Sequence, residues 1–326
     1  MIDAALGVLE NVALGLGLAV YSVLADPGTR VYAGYAVLGA LLAYAVLGRD
    51  AVRAGLLDRG AWTGPSARID ALALFLNPVL LAAGLSALVI DRSLFAGAAA
   101  SALASVDLSA LPGWTAFGVA TVVLFVAHDF SLWAAHRTMH EVPALWAFHK
   151  FHHSAERLNP ITAHRAHPVE TLVSATFLAV GVGSANGALA GLFGDAVGPV
   201  ELAGANAFWI AANVAGGALR HSEVPLSFGP AVEKWIVSPA MHQIHHSSAE
   251  RHWNKNYGET LAVWDRLSGA WSGAEPSQRL AYGFGLGTER FRTLKGAYLE
   301  PFAEAWRALR PASKAPVSPL SERPSA

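Results

Sequence analysis

The sequence predicts an all-α, multi-span integral membrane protein, and three observations carry that prediction. Of 326 residues, 53% are hydrophobic and only 14% charged, whereas soluble domains hold roughly a quarter charged residues. Mean hydropathy is +0.37. The apolar residues fall in runs of about 20, the length that crosses a bilayer as a helix. This composition excludes a disordered chain, a nucleic-acid-binding arm and a coiled coil. Formal net charge is −1, so no partner is drawn by bulk charge and no nucleic-acid partner is expected. Cysteine is absent, which excludes disulfides, thiolate metal sites, iron–sulfur clusters and a cysteine nucleophile.

Six spans are expected, at residues 4–25, 31–48, 70–90, 115–135, 170–194 and 198–219. The first contains Glu10 and Asn11. It lacks a basic start and a cleavage site, so it reads as a span and not a signal peptide. The second runs cleanly from Val31 to Arg49. The last two are rich in Gly and Ala and are expected to form a hairpin of close-packed helices. Residues 91–113 are small and apolar and are expected to lie in the interface. Tyr298, Leu299, Phe302, Trp306 and Leu309 stand among charges within 297–310, the pattern of an interfacial amphipathic helix. The Pro- and Ser-rich segment 311–326 is expected to be a disordered tail.

Basic residues orient these spans. With 49–69, 136–169 and everything after 219 on one face, only Arg30 and Arg92 of the 23 Lys and Arg remain on the other. The rich face is expected to be cytoplasmic, and six spans then put both termini there as well.

Thirteen histidines are present and they are clustered. His136 and His140 are i,i+4 neighbours at the end of a span, so their rings share one helix face. His149, His152 and His153 form H-K-F-H-H, and His242, His245 and His246 form H-Q-I-H-H with the same spacing. His164, His167 and His221 lie between these boxes, and His128 and His252 flank them. Neutral imidazole is a good ligand for iron, zinc or copper. Eight clustered rings are too many for one ion that keeps an open position, and they suit two. Carboxylates commonly orient ligating histidines from behind; Asp129, Glu170 and Asp265 are the candidate catalytic carboxylates in that role.

Blander readings compete with this one. A lone histidine on an apolar face is usually a hydrogen-bonded core residue, which suits His128 and His252. Histidine tracts also occur as loose surface chelators, but that does not explain two copies of H-x-x-H-H beside membrane spans. The zinc-peptidase pattern H-E-x-x-H fails, because Ala144 stands where its second histidine belongs. A transporter would place its histidines at mid-membrane, whereas these stand at span ends. A non-catalytic metal-binding protein would be expected to lack box histidines.

The segments D-F-S-L-W-A-A-H-R-T-M-H, F-H-K-F-H-H-S-A-E-R-L-N-P and A-H-R-A-H-P-V-E, followed by S-P-A-M-H-Q-I-H-H-S and N-Y-G-E-T-L-A-V-W-D-R-L-S-G, closely match one family. Over about residues 115–272 the chain resembles the fatty acid hydroxylase/sterol desaturase superfamily of integral-membrane histidine-box di-iron oxygenases. The resemblance implies a cytoplasmic histidine-lined di-metal cap over a lipid-accessible pocket. It assigns His136, His140, His149, His152, His153, His242, His245 and His246 as metal ligands, adds His221 from R-H-S-E as a ninth, and leaves His167 behind them. Its implied cofactors are two iron ions, with O2 as co-substrate. Its implied partners are a lipid substrate and a separate electron donor: a ferredoxin, a b-type cytochrome or a reductase. Hydroxylation is favoured over desaturation. The domains follow as N-terminal spans 1–110, a catalytic domain 111–275, an interfacial segment 276–310 and the tail. Ser268, Ala270 and Trp133 depart from the family's usual Phe, Thr and Tyr.

Overall fold

A computed structural model describes residues 2–194, 197–202, 205–275, 279–285 and 287–310. The expected tail at 311–326 lies outside them. The chain is helical: α1 (Ile2–Leu24), α2 (Ala33–Leu47), α3 (Arg49–Gly55), α4 (Arg59–Thr63), α5 (Pro65–Ala82), α6 (Ser93–Leu103) and α7 (Gly113–Glu141) come first. After them come α8 (Pro143–His153), α9 (Pro168–Phe193), α10 (Ala207–Val214), α11 (Pro239–His245), α12 (Val263–Ser268) and α13 (Glu300–Leu309). Among the described residues, the one sheet pairs Glu201–Leu202 with Ala205–Asn206. Among the described residues, five apolar helical segments are long enough to cross a membrane: Leu6–Leu24, Pro65–Ala82, Leu85–Leu103, Gly113–Glu141 and Pro168–Phe193; an odd number does not bring both termini to one face, as six would.

The sequence expectation of six spans needs correction in three places. Residues 198–219 do not make a span. Their described residues form the two-stranded sheet, the eight-residue α10 and a 3-10 turn, and eight residues rise only about 12 Å. Polar anchors explain why: Val200 N–H donates to Thr121 Oγ1 at 2.7 Å, and Asn206 Nδ2 donates to Thr121 O at 2.9 Å. These anchors hold the segment against the side of α7. α2 has 15 residues, about 22 Å, and packs Ala43 against Val52, Leu219 and Val224. Residues 91–113, expected in the interface, contribute α6, which lies along α9. Small residues permit that approach, since a Cβ on Gly183, Gly187 or Gly191 would strike the backbone of Arg92, Ala96 or Ala100.

Length decides where the histidines stand. At 29 residues, α7 is about 43 Å long, against a hydrocarbon core of about 30 Å. Trp114, 79% exposed at its start, is a typical interfacial anchor. The surplus of about 13 Å is long enough to hold the last turns of α7, with His136 and His140, outside a hydrocarbon layer that begins at Trp114. There α8, α11 and the connecting loops assemble against the end of the helical bundle. Ile69 and Ala73 of α5 pack with Phe151, Phe291, Ala297 and Tyr298, so apolar cores join the first 110 residues to the histidine-bearing part.

Candidate metal centre

α7 supplies His136 and His140, α8 supplies His149, His152 and His153, α11 supplies His242 and His245, and His246 is the α11 C-cap. His221 follows the 3-10 turn Gly217–Leu219. The fold gathers all nine into two groups. His136, His140, His149, His153 and His245 form one, and His152, His221, His242 and His246 form the other; ligand atoms within each lie within 4.8 Å of one another. Each H-x-x-H-H box straddles both groups. Adjacent helical residues point about 100° apart, so His152 and His153 separate, as do His245 and His246.

The rings are oriented from behind, mostly by main-chain carbonyls. Nδ1 of His136 lies 2.9 Å from Tyr257 O, that of His152 3.2 Å from Arg165 O, and that of His245 2.7 Å from Lys255 O. Carbonyls only accept, so each Nδ1 carries the proton and each Nε2 presents a lone pair. Glu170 Oε2 stands 3.0 Å from Nδ1 of His149, at ion-pair distance but without a hydrogen bond between the two atoms. Burial holds the His245 imidazolium down to about 3. Burial, reinforced by neighbouring imidazoles, keeps His152, His153, His242 and His246 well below the ordinary value. These five rings are therefore neutral, as metal ligands must be.

The fit to metal ions can be tested on distances. Nε2 atoms face one another at 3.1–3.2 Å in the pairs His153–His140, His153–His149, His221–His152, His242–His221 and His246–His242. Each contact is a hydrogen bond where one Nε2 carries the proton; where both protons sit on Nδ1, the facing lone pairs repel unless a cation lies between them. Metal–imidazole bonds of about 2.0–2.1 Å would separate adjacent ligand nitrogens by about 3.0 Å at a right angle and about 3.4 Å at a tetrahedral one. The nine donors fit two borderline metal ions. A cavity of about 530 Å³ reaches His140, His153, His245 and His246. Trp146 closes one wall, with its ring 4.9 Å from that of His140.

Of the three carboxylates expected behind the histidines, only Glu170 stands there. Asp129 is buried and accepts from Thr260 N–H, Leu261 N–H and Trp264 Nε1 at 2.9–3.2 Å. Asp265 accepts from Tyr257 N–H, Gly258 N–H and Trp133 Nε1 at 2.9–3.0 Å. Both tie the loop 257–261 to α7 and act on His136 only through the position of Tyr257. Trp133 earns its place as a donor to Asp265. His167 accepts from Val169 N–H to cap α9, and His128 packs on the Trp209 ring; neither joins a group, nor do His164 and His252.

Sequence reasoning missed two buried ion networks. Arg165 and Asp70 are fully buried and paired at 2.9 Å. The Arg165 guanidinium also bonds Phe151 O, Ser154 and Ser66, which fixes the carbonyl that orients His152. Glu259 bridges Arg220, at 2.8 Å, and Arg30, which corrects the expectation that Arg30 lies on the face opposite the residues after 219. Burial opposes ionisation of Glu259, yet the two guanidiniums prevail and hold its carboxyl at about 2. Glycine is needed at Gly258, since a Cβ there would stand 2.9 Å from Asp265 Oδ2 and from Leu261 O. The motif N-Y-G-E-T contains Glu259, but nothing in the sequence pairs it with Arg30 from 229 residues away.

Residues 121–270 match the sequence profile of the fatty acid hydroxylase family. The chain is 36% identical over 152 residues to ornithine lipid hydroxylase OlsE of Rhizobium tropici, covering 45% of this chain and 40% of that protein. It is 30% identical over 173 residues to human alkylglycerol monooxygenase, covering 52% of this chain and 34% of that protein. It is also 30% identical over 184 residues to the very-long-chain aldehyde decarbonylase GL1-1 of Oryza sativa subsp. indica, covering 53% and 27%. The chain thus spans well under half the length of the curated relatives it matches. No solved structure matches it.

Proposed function

We propose, on the premise that residues 121–270 place the chain in the fatty acid hydroxylase/sterol desaturase superfamily, that it hydroxylates a membrane lipid. O2 is the co-substrate, the nine histidines hold two iron ions, and a separate protein donates electrons. The observation that carries this reading is the convergence of nine imidazoles in two adjacent groups beside one cavity. No amino-acid side chain can break an unactivated C–H bond, and a pair of iron ions supplies that oxidising chemistry.

The remaining work falls to the chain. His136, His140, His149, His153 and His245 are the donors to one ion, and His152, His221, His242 and His246 to the other. The carbonyls of Tyr257, Arg165 and Lys255 keep the proton of His136, His152 and His245 on Nδ1 and leave the Nε2 lone pair of each aimed inward. Trp146, Trp253 and Phe284 line the cavity with apolar surface, which excludes water and accepts an alkyl segment. Membrane-capable helices beside the histidines bring the enzyme to a bilayer-borne substrate. The histidine-bearing end is assigned to the cytoplasm on the charge pattern, and α13 to the interface. Leu299, Phe302, Trp306 and Leu309 of that segment are all more than half exposed, while Ala305 is buried against Ala147 and Phe148.

The donor is assigned to the surface around Lys255. Its carbonyl bonds His245 directly, and Arg251 and Arg266 lie on the same stretch, so an acidic donor would sit one residue from a ligand ring. The test compares lipids from cells expressing wild type or His245→Ala/His246→Ala, alongside a compatible reductase. A wild-type-specific lipid heavier by about 16 mass units, with iron bound only to the wild type, is the expected result. A product lighter by about 2 would replace hydroxylation with desaturation. A metal-loaded, active double variant would overturn the assignment.

A further inference from the structure

We infer that Lys150 and Arg290, bridged by Glu304, form a binding site for a single anionic group of the substrate, a carboxylate or a phosphate, at the rim of the cavity that ends on the histidines. This rests on the proposed function only for what happens at the histidine end; the anion site stands on its own geometry.

Lys150 Nζ lies 2.6 Å from Glu304 Oε2, and the Arg290 guanidinium contacts the other carboxylate oxygen. One carboxylate is therefore shared by two cations, which leaves an excess positive charge. The donor count is also unbalanced. An ammonium and a guanidinium together offer eight N–H donors, more than the one Glu304 carboxylate can take up, and the Lys150 and Arg290 side chains remain 24% and 34% exposed, so a second acceptor can reach them. The three residues come from α8, the 3-10 turn Thr288–Arg292 and α13, so they form a built arrangement and not a run of surface charge. Lys150 and Arg290 line the same cavity as His140 and His153, whose intervening wall is Trp146. A cationic rim, an aromatic wall and a histidine floor suit an amphiphile entering tail or neck first.

Geometry also limits where the substrate reacts. Lys150 precedes His153 by three residues on one helix, so their Cβ atoms are about 5–6 Å apart. An anion held at Lys150 keeps its own neighbouring carbons, and not the middle of a long acyl chain, nearest the histidines. The blander reading makes the three residues only a clamp that seats α13 on α8. The two readings predict opposite consequences for Glu304→Gln: the clamp weakens the fold, whereas the anion site gains affinity because both cations are released.

The test is calorimetric titration of the detergent-solubilised full chain with octyl phosphate, octanoate and octanol. Both anions should bind at least about tenfold more tightly than octanol, and the tighter of the two identifies the headgroup class. Lys150→Gln/Arg290→Gln should cut that preference below about threefold while octanol binding is retained, which also certifies folding. Glu304→Gln should raise anion affinity by about threefold or more. Equal binding of octanol and the anions, a preference that survives the double substitution, or no gain in Glu304→Gln would overturn the proposal. Loss of iron or of lipid product in the His245→Ala/His246→Ala comparison concerns the proposed function alone, because these titrations require neither.

Discussion

The two histidine groups are built from the same residue type at the same spacings, yet they face different surroundings. In the first group, His136 and His140 are half-buried, and three of the five rings (His140, His153 and His245) line the cavity. In the second, all four are buried and only His246 reaches the cavity. The first is oriented by the loop 255–257 and by Glu170. The second is backed by the fully buried Arg165–Asp70 pair and by Arg220–Glu259–Arg30, in which Asp70 and Arg30 come from the first 110 residues. The open group is where a substrate can arrive, and the closed group is part of the protein's core.

Substituting one ring from each group breaks the comparison most strongly. His140→Ala and His242→Ala should each lose most bound metal and activity, read by metal analysis and product formation. Only His242→Ala should also lower the unfolding temperature of the metal-free protein, by several degrees, since it opens a void in a closed core. Equal thermal losses would erase the distinction. Next in size is Asp70→Ala, which strands the buried Arg165 guanidinium. Breaking such a pair typically costs about 3–5 kcal/mol, so poor accumulation and a large drop in unfolding temperature are expected, with Asp70→Asn intermediate. Glu170→Gln tests the open group alone. It should weaken metal affinity by about 10–100-fold with the fold intact, the usual effect of losing a carboxylate behind a ligating histidine; unchanged affinity would remove Glu170 from the site.

The smallest effect concerns acid. Burial pushes His164 down to about 4, and its Nε2 is buried without a partner. The unfolded chain therefore binds this proton first. The stability contributed by keeping His164 neutral is complete above about 6.5 and is lost as pH falls toward 4. In His164→Gln, the unfolding temperature of the metal-free protein should fall less between pH 7 and pH 5 than in the wild type. An identical slope would show that His164 does not contribute.

The long apolar helices were legible because bilayer solvation demands unbroken apolar runs of a set length. Residues 198–219 met the composition but not the condition, since Val200 N–H and the Asn206 side chain donate to Thr121 of α7 and a short two-stranded sheet resulted. The eight histidines singled out by spacing, and His221 added by the resemblance, are those the structure gathers, because i,i+3 and i,i+4 offsets bring the box rings to one side of each helix. Helical periodicity could not say which ring joins which group, nor that Asp129 and Asp265 serve the loop 257–261 and not the rings.

Local rules therefore determined, from sequence alone, the all-α membrane class, the histidine faces and the family resemblance. Tertiary structure alone decided the division into an open and a closed group, the pairing of Arg30 with Glu259 and Asp70 with Arg165, and the cation pair at the cavity rim. The physical reason is range: a helix's periodicity and a bilayer's thickness act on neighbouring residues, whereas a buried charge takes its partner from whatever segment the fold brings within about 3 Å.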